Sequence, residues 1–259
     1  MFTTPFDRFR ILVGARIDVH PVVRSNRYTT WFSTGLASLE ELRRFTVQFS
    51  VFSHLFLEAQ LRKCINASDL AAHRAAREIL LNELGVTFTS EGSIDGGRCT
   101  FRAAHFEWLA DFAHVLGLRF DEIGKRHLGT PETLAFCDAL MIYYGSSDPS
   151  TAAGASYAIE HWAAAGFWKQ LIAGMEVMRA RQVLPLPLGF WKWHDALEET
   201  HVEHTDAELA DAFEAARFMP ANFLQSGTAM LDAVHKFWEG LYEARISDDS
   251  VRSIGFARQ

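Results

Sequence analysis

Cysteine is scarce in this chain, with only three in 259 residues. Cys64, Cys99 and Cys137 are widely spaced and form no Cys-x-x-Cys pair. This pattern excludes a disulfide framework and a thiolate-rich metal site, and it is typical of a reducing compartment. We therefore expect a cytoplasmic protein, in which histidines and carboxylates must build any metal site.

Long apolar runs and a surplus of basic residues are also missing. The first apolar run covers only residues 11–14 and is followed by Arg16, so it is too short for the core of a signal peptide. No window approaches 18 apolar residues, and we expect no membrane span. The net charge of −7 argues against a nucleic-acid partner, because no broad basic face is available for phosphates.

Phenylalanine and histidine are abundant instead, at 21 and 11 residues. A 49% hydrophobic and 22% charged composition is ordinary for a globular chain with a substantial core. The aromatic excess predicts a dry core. The histidines supply candidate metal ligands.

Residues that typically begin or end helices divide most of the chain into predicted helices. Ser38 and Glu41 form a capping box for a helix that we expect to reach about Asn66. Gly85 and Gly117 end the next two helices. Later helices begin near residues 121, 130, 150, 190 and 222. We predict an all-α, seven-helix single domain over residues 38–245, with an irregular segment at 1–37 and a loose tail at 246–259.

Several ionisable groups fall on apolar helix faces. Glu58 lies in an apolar stripe of the first long helix, where a carboxylate is costly unless it is paired or bound to metal. The alternative is a surface pair with Arg62 at i+4. Glu83 lies on the apolar face of the second predicted helix, and His105 lies on the apolar face of the third. A single inward histidine can also be a hydrogen-bonded core residue. Glu160, on a later helix, can be a further ligand, a base near the substrate or the buried partner of an arginine.

The strongest motif is His194-x3-Glu198-x2-His201. Its members span about 60° of a helical wheel, so all three project from one face over two turns. Imidazole and carboxylate donors in this arrangement form half of a metal site of the kind that iron or manganese accepts. The alternative is a solvated, charged helix face, which the adjoining Phe190 and Trp191 make less favourable.

Together these helices present three carboxylates and three imidazoles, enough to hold two iron ions with positions left for O2 and substrate. A ferritin-like site would need two Glu-x-x-His motifs on two helices, and only Glu198-x-x-His201 occurs. The predicted metal ligands are Glu58, Glu83, His105, His194, Glu198 and His201.

The same residues resemble the heme-oxygenase-like diiron oxidases. Asn82-Glu83-Leu84-Gly85, a loop, His105 and a helix ending at Leu116-Gly117-Leu118 are similar to that family's second and third core helices. The late motif is similar to its His-x3-Asp-x2-His, with Glu198 where aspartate is usual. The interval from Glu83 to His105 is longer than in many relatives. Glu160 resembles a glutamate that some members use as a ligand. The likeness covers about residues 40–215.

This resemblance implies a fold like heme oxygenase without heme, two Fe(II) ions as cofactor and O2 as co-substrate. It implies oxidation of a small amino-acid-like or fatty-acid-like molecule in specialised metabolism, by N-oxygenation, desaturation or oxidative C–C or C–N cleavage.

Two other functions stay open at the level of sequence. One is a metal-free enzyme on the same scaffold, of the thiaminase or quinone-cofactor-synthesis type. The other is a non-catalytic helical interaction module, which would expose a large apolar patch. Substrate identity and oligomeric state are also open, and a homodimer is a common outcome for all-α enzymes of this size.

Overall fold

A computed structural model of the chain describes residues 4–86, 104–182, 184–215 and 217–256, without the side chains of residues 182, 197–208 and 246–256. Within these ranges all regular structure is helical, and no helix there combines the length and apolar character needed to cross a membrane. The eleven α-helices of the described residues are α1 Pro5–Val13, α2 Pro21–Arg24, α3 Arg27–Phe32, α4 Leu39–Ile65, α5 Leu70–Glu83, α6 His105–Val115, α7 Pro131–Ala139, α8 Pro149–Ala163, α9 Phe167–Gln182, α10 Gly189–Glu214 and α11 Pro220–Phe256.

Local signals in the sequence set the ends of the helices around the candidate site. Ser38 Oγ accepts from the backbone N–H of Glu41 at 3.2 Å, and Glu41 Oε2 accepts from the N–H of Ser38 at 2.7 Å, which starts α4. Gly85 and Gly117 follow α5 and α6 with φ of 81° and 77°. Only glycine adopts this left-handed conformation freely, so both helices end where the sequence predicted.

The N-terminal segment differs from its prediction. Residues 5–32, expected to be irregular, form α1, α2, α3 and a π-helical turn at Gly14–Asp18. Pro5 and Pro21 begin helices here because proline lacks only an N–H that is unpaired at the first helical position anyway. The count of seven helices is therefore too low. At the other end, α11 continues to Phe256, beyond the end expected near Arg245.

Helix α4 runs through the core and contacts α5, α6 and α7, while α10 packs against α6, α8 and α9. The phenylalanine stripe of α4 is the aromatic core predicted from composition. Phe45 and Phe49 are fully buried, and adjacent rings from Phe45 to Phe56 have centroids 5.3–6.1 Å apart. These elements form one all-α domain, and the end of α5 and the start of α6 meet the start of α10 beside this core.

Gly154 controls the approach of α8 to α11. A Cβ atom at this position would overlap the carbonyl oxygen of Phe223, a backbone atom that cannot rotate away. We expect Gly154→Ala to lower the free energy of unfolding by about 1–3 kcal/mol, as overpacking does. Gly189→Ala, at the start of α10 with no atom within 4 Å of the new methyl group, is the matched control and should leave stability equal or slightly higher. Denaturant unfolding measures both; equal midpoints would contradict the packing argument.

Candidate metal centre

Three helix segments bring Glu83, His105 and His194 together. Glu83 is the last residue of α5, His105 is the first of α6, and His194 lies in the second turn of α10. Each offers one donor atom, and the three atoms lie within 4.8 Å of one another. The structure thus assembles three of the six predicted ligands, which we call the histidine–glutamate cluster.

The contact between Glu83 and His105 has the spacing of two ligands on one metal ion. Glu83 Oε2 lies 3.0 Å from His105 Nδ1, and the side chains are 14% and 3% exposed. Nδ1 nevertheless has no hydrogen-bond partner. Two donor atoms bound to a metal at about 2.1 Å and at right angles lie about 3.0 Å apart. A buried ring nitrogen without a hydrogen bond, beside a carboxylate oxygen, therefore fits a cation site.

His194 has the protonation state that a ligand needs. Its Nδ1–H donates to the carbonyl oxygen of Phe190 at 2.7 Å, so the neutral ring keeps a lone pair on Nε2. Burial lowers the pKa of His194, the charge of Glu83 raises it in part, and His105 lowers it further. The imidazole is therefore neutral at pH 7, which is the form that binds metal.

Aromatic rings surround the two histidines. The His194 ring stacks on Trp168 with centroids 4.9 Å apart, and Phe190 lies 4.4 Å away. His105 stacks on Trp108 at 5.5 Å. Trp193, 41% exposed, packs against Trp108 at 5.8 Å, so the cluster is dry on the Trp168 side and near solvent on the Trp193 side. Sequence reasoning missed Trp108, although its i+3 spacing from His105 places both rings on one helix face.

Glu58 does not join the cluster. Its side chain is 51% exposed and accepts from Arg62 Nη2 at 2.9 Å, one helical turn away. The apolar stripe that carries it leaves the core toward the end of α4: Val51 is fully buried, whereas Ile65 is 71% exposed. The surface ion pair with Arg62 thus replaces the ligand assignment of Glu58. A helical wheel shows which residues share a face, but it does not show where along the helix that face leaves the core.

The other predicted residues lie farther along α8 and α10. Glu160 is half-buried on α8. Burial raises the pKa of the Tyr144 phenol, and the nearby negative charge of Glu160 raises it further. Helix α8 packs against α10, whose next two turns carry Glu198 and His201. Those two side chains lie outside the described residues, so their ligand roles stay predictions.

The arrangement of helices has known counterparts. A TenA homolog from Pseudomonas syringae pv. tomato superposes with a TM-score of 0.66 at 12% identity, over 92% of this chain and 93% of that chain. The chain has the heme-oxygenase-like fold. Two structures of a CADD-like protein of unknown function from Nostoc punctiforme give TM-scores of 0.61 and 0.60 at 18% and 19% identity, over 92% and 94% of this chain and 97% and 96% of theirs.

No protein-family model and no curated sequence matches the chain. Superpositions at identities below 20% show the fold alone. The chemistry has to be inferred from the residues of the site. The predicted heme-oxygenase-like, all-α fold is confirmed.

Removing an imidazole from the cluster tests its affinity for metal. We expect His105→Ala and His194→Ala to weaken Fe(II) binding by at least about 100-fold, because each change deletes a donor atom from a small set. Equilibrium dialysis under argon with iron quantitation measures this. His114→Ala, on the exposed side of the same helix as His105, is the matched control and should bind as the wild type does. Unchanged affinity in both cluster variants would contradict the assignment.

Proposed function

We propose that the protein is an O2-activating nonheme diiron oxidase or oxygenase that acts on a small amino-acid-like substrate. The observation that carries the proposal is the histidine–glutamate cluster, whose donors are two imidazoles and a carboxylate beside a dry aromatic wall. Such nitrogen and oxygen donors suit Fe(II), and they leave coordination positions for other molecules.

The proposal places two metal positions one after the other along α10. The first uses the histidine–glutamate cluster. The second uses Glu198 and His201, one and two turns further along α10, with Glu160 from the adjoining α8. In this proposal Glu160 takes the place that the sequence assigned to Glu58. Two Fe(II) ions held there would supply the electrons that reduce O2, without heme.

The protein's own residues prepare this site in three ways. The carbonyl oxygen of Phe190 holds His194 in the tautomer that presents Nε2. Glu83 supplies negative charge that offsets part of the charge of a bound cation. Trp168 and Phe190 exclude water from one side, which protects a reactive oxidant from side reactions. The reactions consistent with this environment are N-oxygenation and oxidative C–C or C–N cleavage of a substrate entering from the Trp193 side.

Iron stoichiometry tests the two-metal arrangement. Loaded with Fe(II) under argon, the wild type should bind two ions per chain, and His201→Ala or Glu160→Ala should bind about one. Glu58→Ala is the matched carboxylate control and should keep two ions, because Glu58 pairs with Arg62 at the surface. Iron quantitation after gel filtration measures the ratio.

Rapid mixing of the loaded protein with O2 then tests the chemistry. We expect a transient visible absorption band in the wild type and in Glu58→Ala, and its loss in His201→Ala. Failure of the wild type to bind iron would favour a metal-free enzyme of the thiaminase or quinone-cofactor-synthesis type, or a non-catalytic module. Iron binding without any reaction with O2 would also overturn the proposed function.

A further inference from the structure

A cavity of about 670 Å³ opens at the surface where α4 meets α7 and the loop between α6 and α7. We call it the loop cavity. Its volume falls within the range of roughly 300–1,000 Å³ that is typical of small-molecule sites. The described residues that line it include four basic side chains and no carboxylate, and none belongs to the histidine–glutamate cluster. They are His54, Leu55, Gly124, Lys125, Arg126, His127 and Leu134.

Buried polar side chains of α4 hold the loop in place. The N–H of Gly124 donates to Ser50 Oγ at 2.9 Å, and Gln48 Nε2 donates to the carbonyl oxygen of Leu128 at 2.9 Å. Gln48 Oε1 also accepts from the N–H of Thr130 at 2.8 Å. Ser50 and Gln48 are only 0% and 6% exposed, so these bonds are shielded from water. The three consecutive basic residues of the loop lie between these fixed points.

His54 joins the loop to α6. Its Nδ1–H donates to the carbonyl oxygen of Gly124 at 3.0 Å, and its ring stacks on Phe106 with centroids 4.1 Å apart. Gly124 has a φ of 66°, and a Cβ atom there would overlap both rings, so only glycine lets the loop approach this closely. Burial lowers the pKa of His54, the hydrogen bond to Gly124 raises it in part, and the charge of Lys125 lowers it further. The positive charge of Lys125 therefore acts on the wall of the cavity.

The carboxylates of the loop face a different cation. Asp121 Oδ1 lies 3.0 Å from Arg119 Nε, and Glu122 Oε1 lies 3.4 Å from Arg119 Nη1. Lys125 forms no ion pair within 4 Å among the described side chains, and its Nζ lies 4.3 Å from the centre of the Phe120 ring. An ammonium held over an aromatic ring keeps its N–H donors available to an anion.

We propose that the loop cavity binds the phosphate group of a small phosphomonoester. Lys125 contacts the charge, Arg126 and His127 donate further hydrogen bonds, and Leu55 and Leu134 contact the organic part of the ligand. A phosphate carries a charge of about −1.5 to −2 at pH 7 and three strong acceptor oxygens, which suits several donors from one short loop better than a single carboxylate does. This site goes beyond the proposed function and does not depend on iron.

The overall charge favours a small ligand. With a net charge of −7, the chain has no broad basic surface for a nucleic acid, and this basic group is confined to one cavity. A phosphate monoester can also be the headgroup of a lipid, so the test includes a membrane probe.

Calorimetric titration of the iron-free, full-length protein tests the site. The probes are phenyl phosphate, inorganic phosphate, benzoate and vesicles that contain phosphatidic acid. We expect phenyl phosphate to bind at least 10-fold more tightly than benzoate and more tightly than inorganic phosphate, which has no organic part for the leucines. Lys125→Met should weaken phenyl phosphate binding by 10-fold or more, and Lys125→Arg, which keeps the charge, should retain most of it.

Arg119→Met is the matched control. It removes one positive charge from the same loop, but Arg119 does not line the cavity, so phenyl phosphate should bind as it does to the wild type. The site would be overturned by a wild type that binds no phenyl phosphate, or by equal losses in Lys125→Met and Arg119→Met. Equal affinity for inorganic phosphate or benzoate would contradict a phosphomonoester ligand. Binding to the vesicles alone would replace the small molecule by a lipid surface.

Discussion

Aromatic packing around α4 excludes water from the middle of the bundle. Every polar group there therefore needs a partner other than solvent. Phe45, Phe49 and Trp191 are fully buried and in mutual ring contact. In such an interior a charged or hydrogen-bonding side chain is destabilising unless another group satisfies it. The histidine–glutamate cluster borders this interior, and His105 Nδ1 there has no hydrogen-bond partner. A bound cation would remove that cost.

The end of α5 adds to the preference of the histidine–glutamate cluster for a cation. Glu83 is the last residue of α5, where the negative end of the helix dipole disfavours a carboxylate that has no positive partner. His105 begins α6, so the two side chains come from opposite ends of two helices. A metal ion between them would compensate the charge of Glu83 at the end of α5.

Much of the site could be read from local patterns. The helix boundaries near it depend on Ser38, Gly85 and Gly117, whose effects act within one turn. The inward direction of His105 and His194 follows from apolar neighbours at helical spacing. Glu58 shows the limit of such reasoning. A helical wheel places it on an apolar stripe, but that part of the stripe lies at the protein surface near the end of α4.

The hydrogen bonds that join Tyr144 and Ser156 to α4 could not be found from sequence at all. Gln60 and Lys63 are three residues apart on one helix, but Tyr144 and Ser156 reach them from elements more than 80 positions away. By itself the sequence determined the all-α class, the helix ends beside the site and the side chains able to bind metal, because these depend on neighbours within a few residues. Only the tertiary structure decided which of them meet, since a meeting of distant residues depends on how whole helices pack and on which groups that packing removes from water.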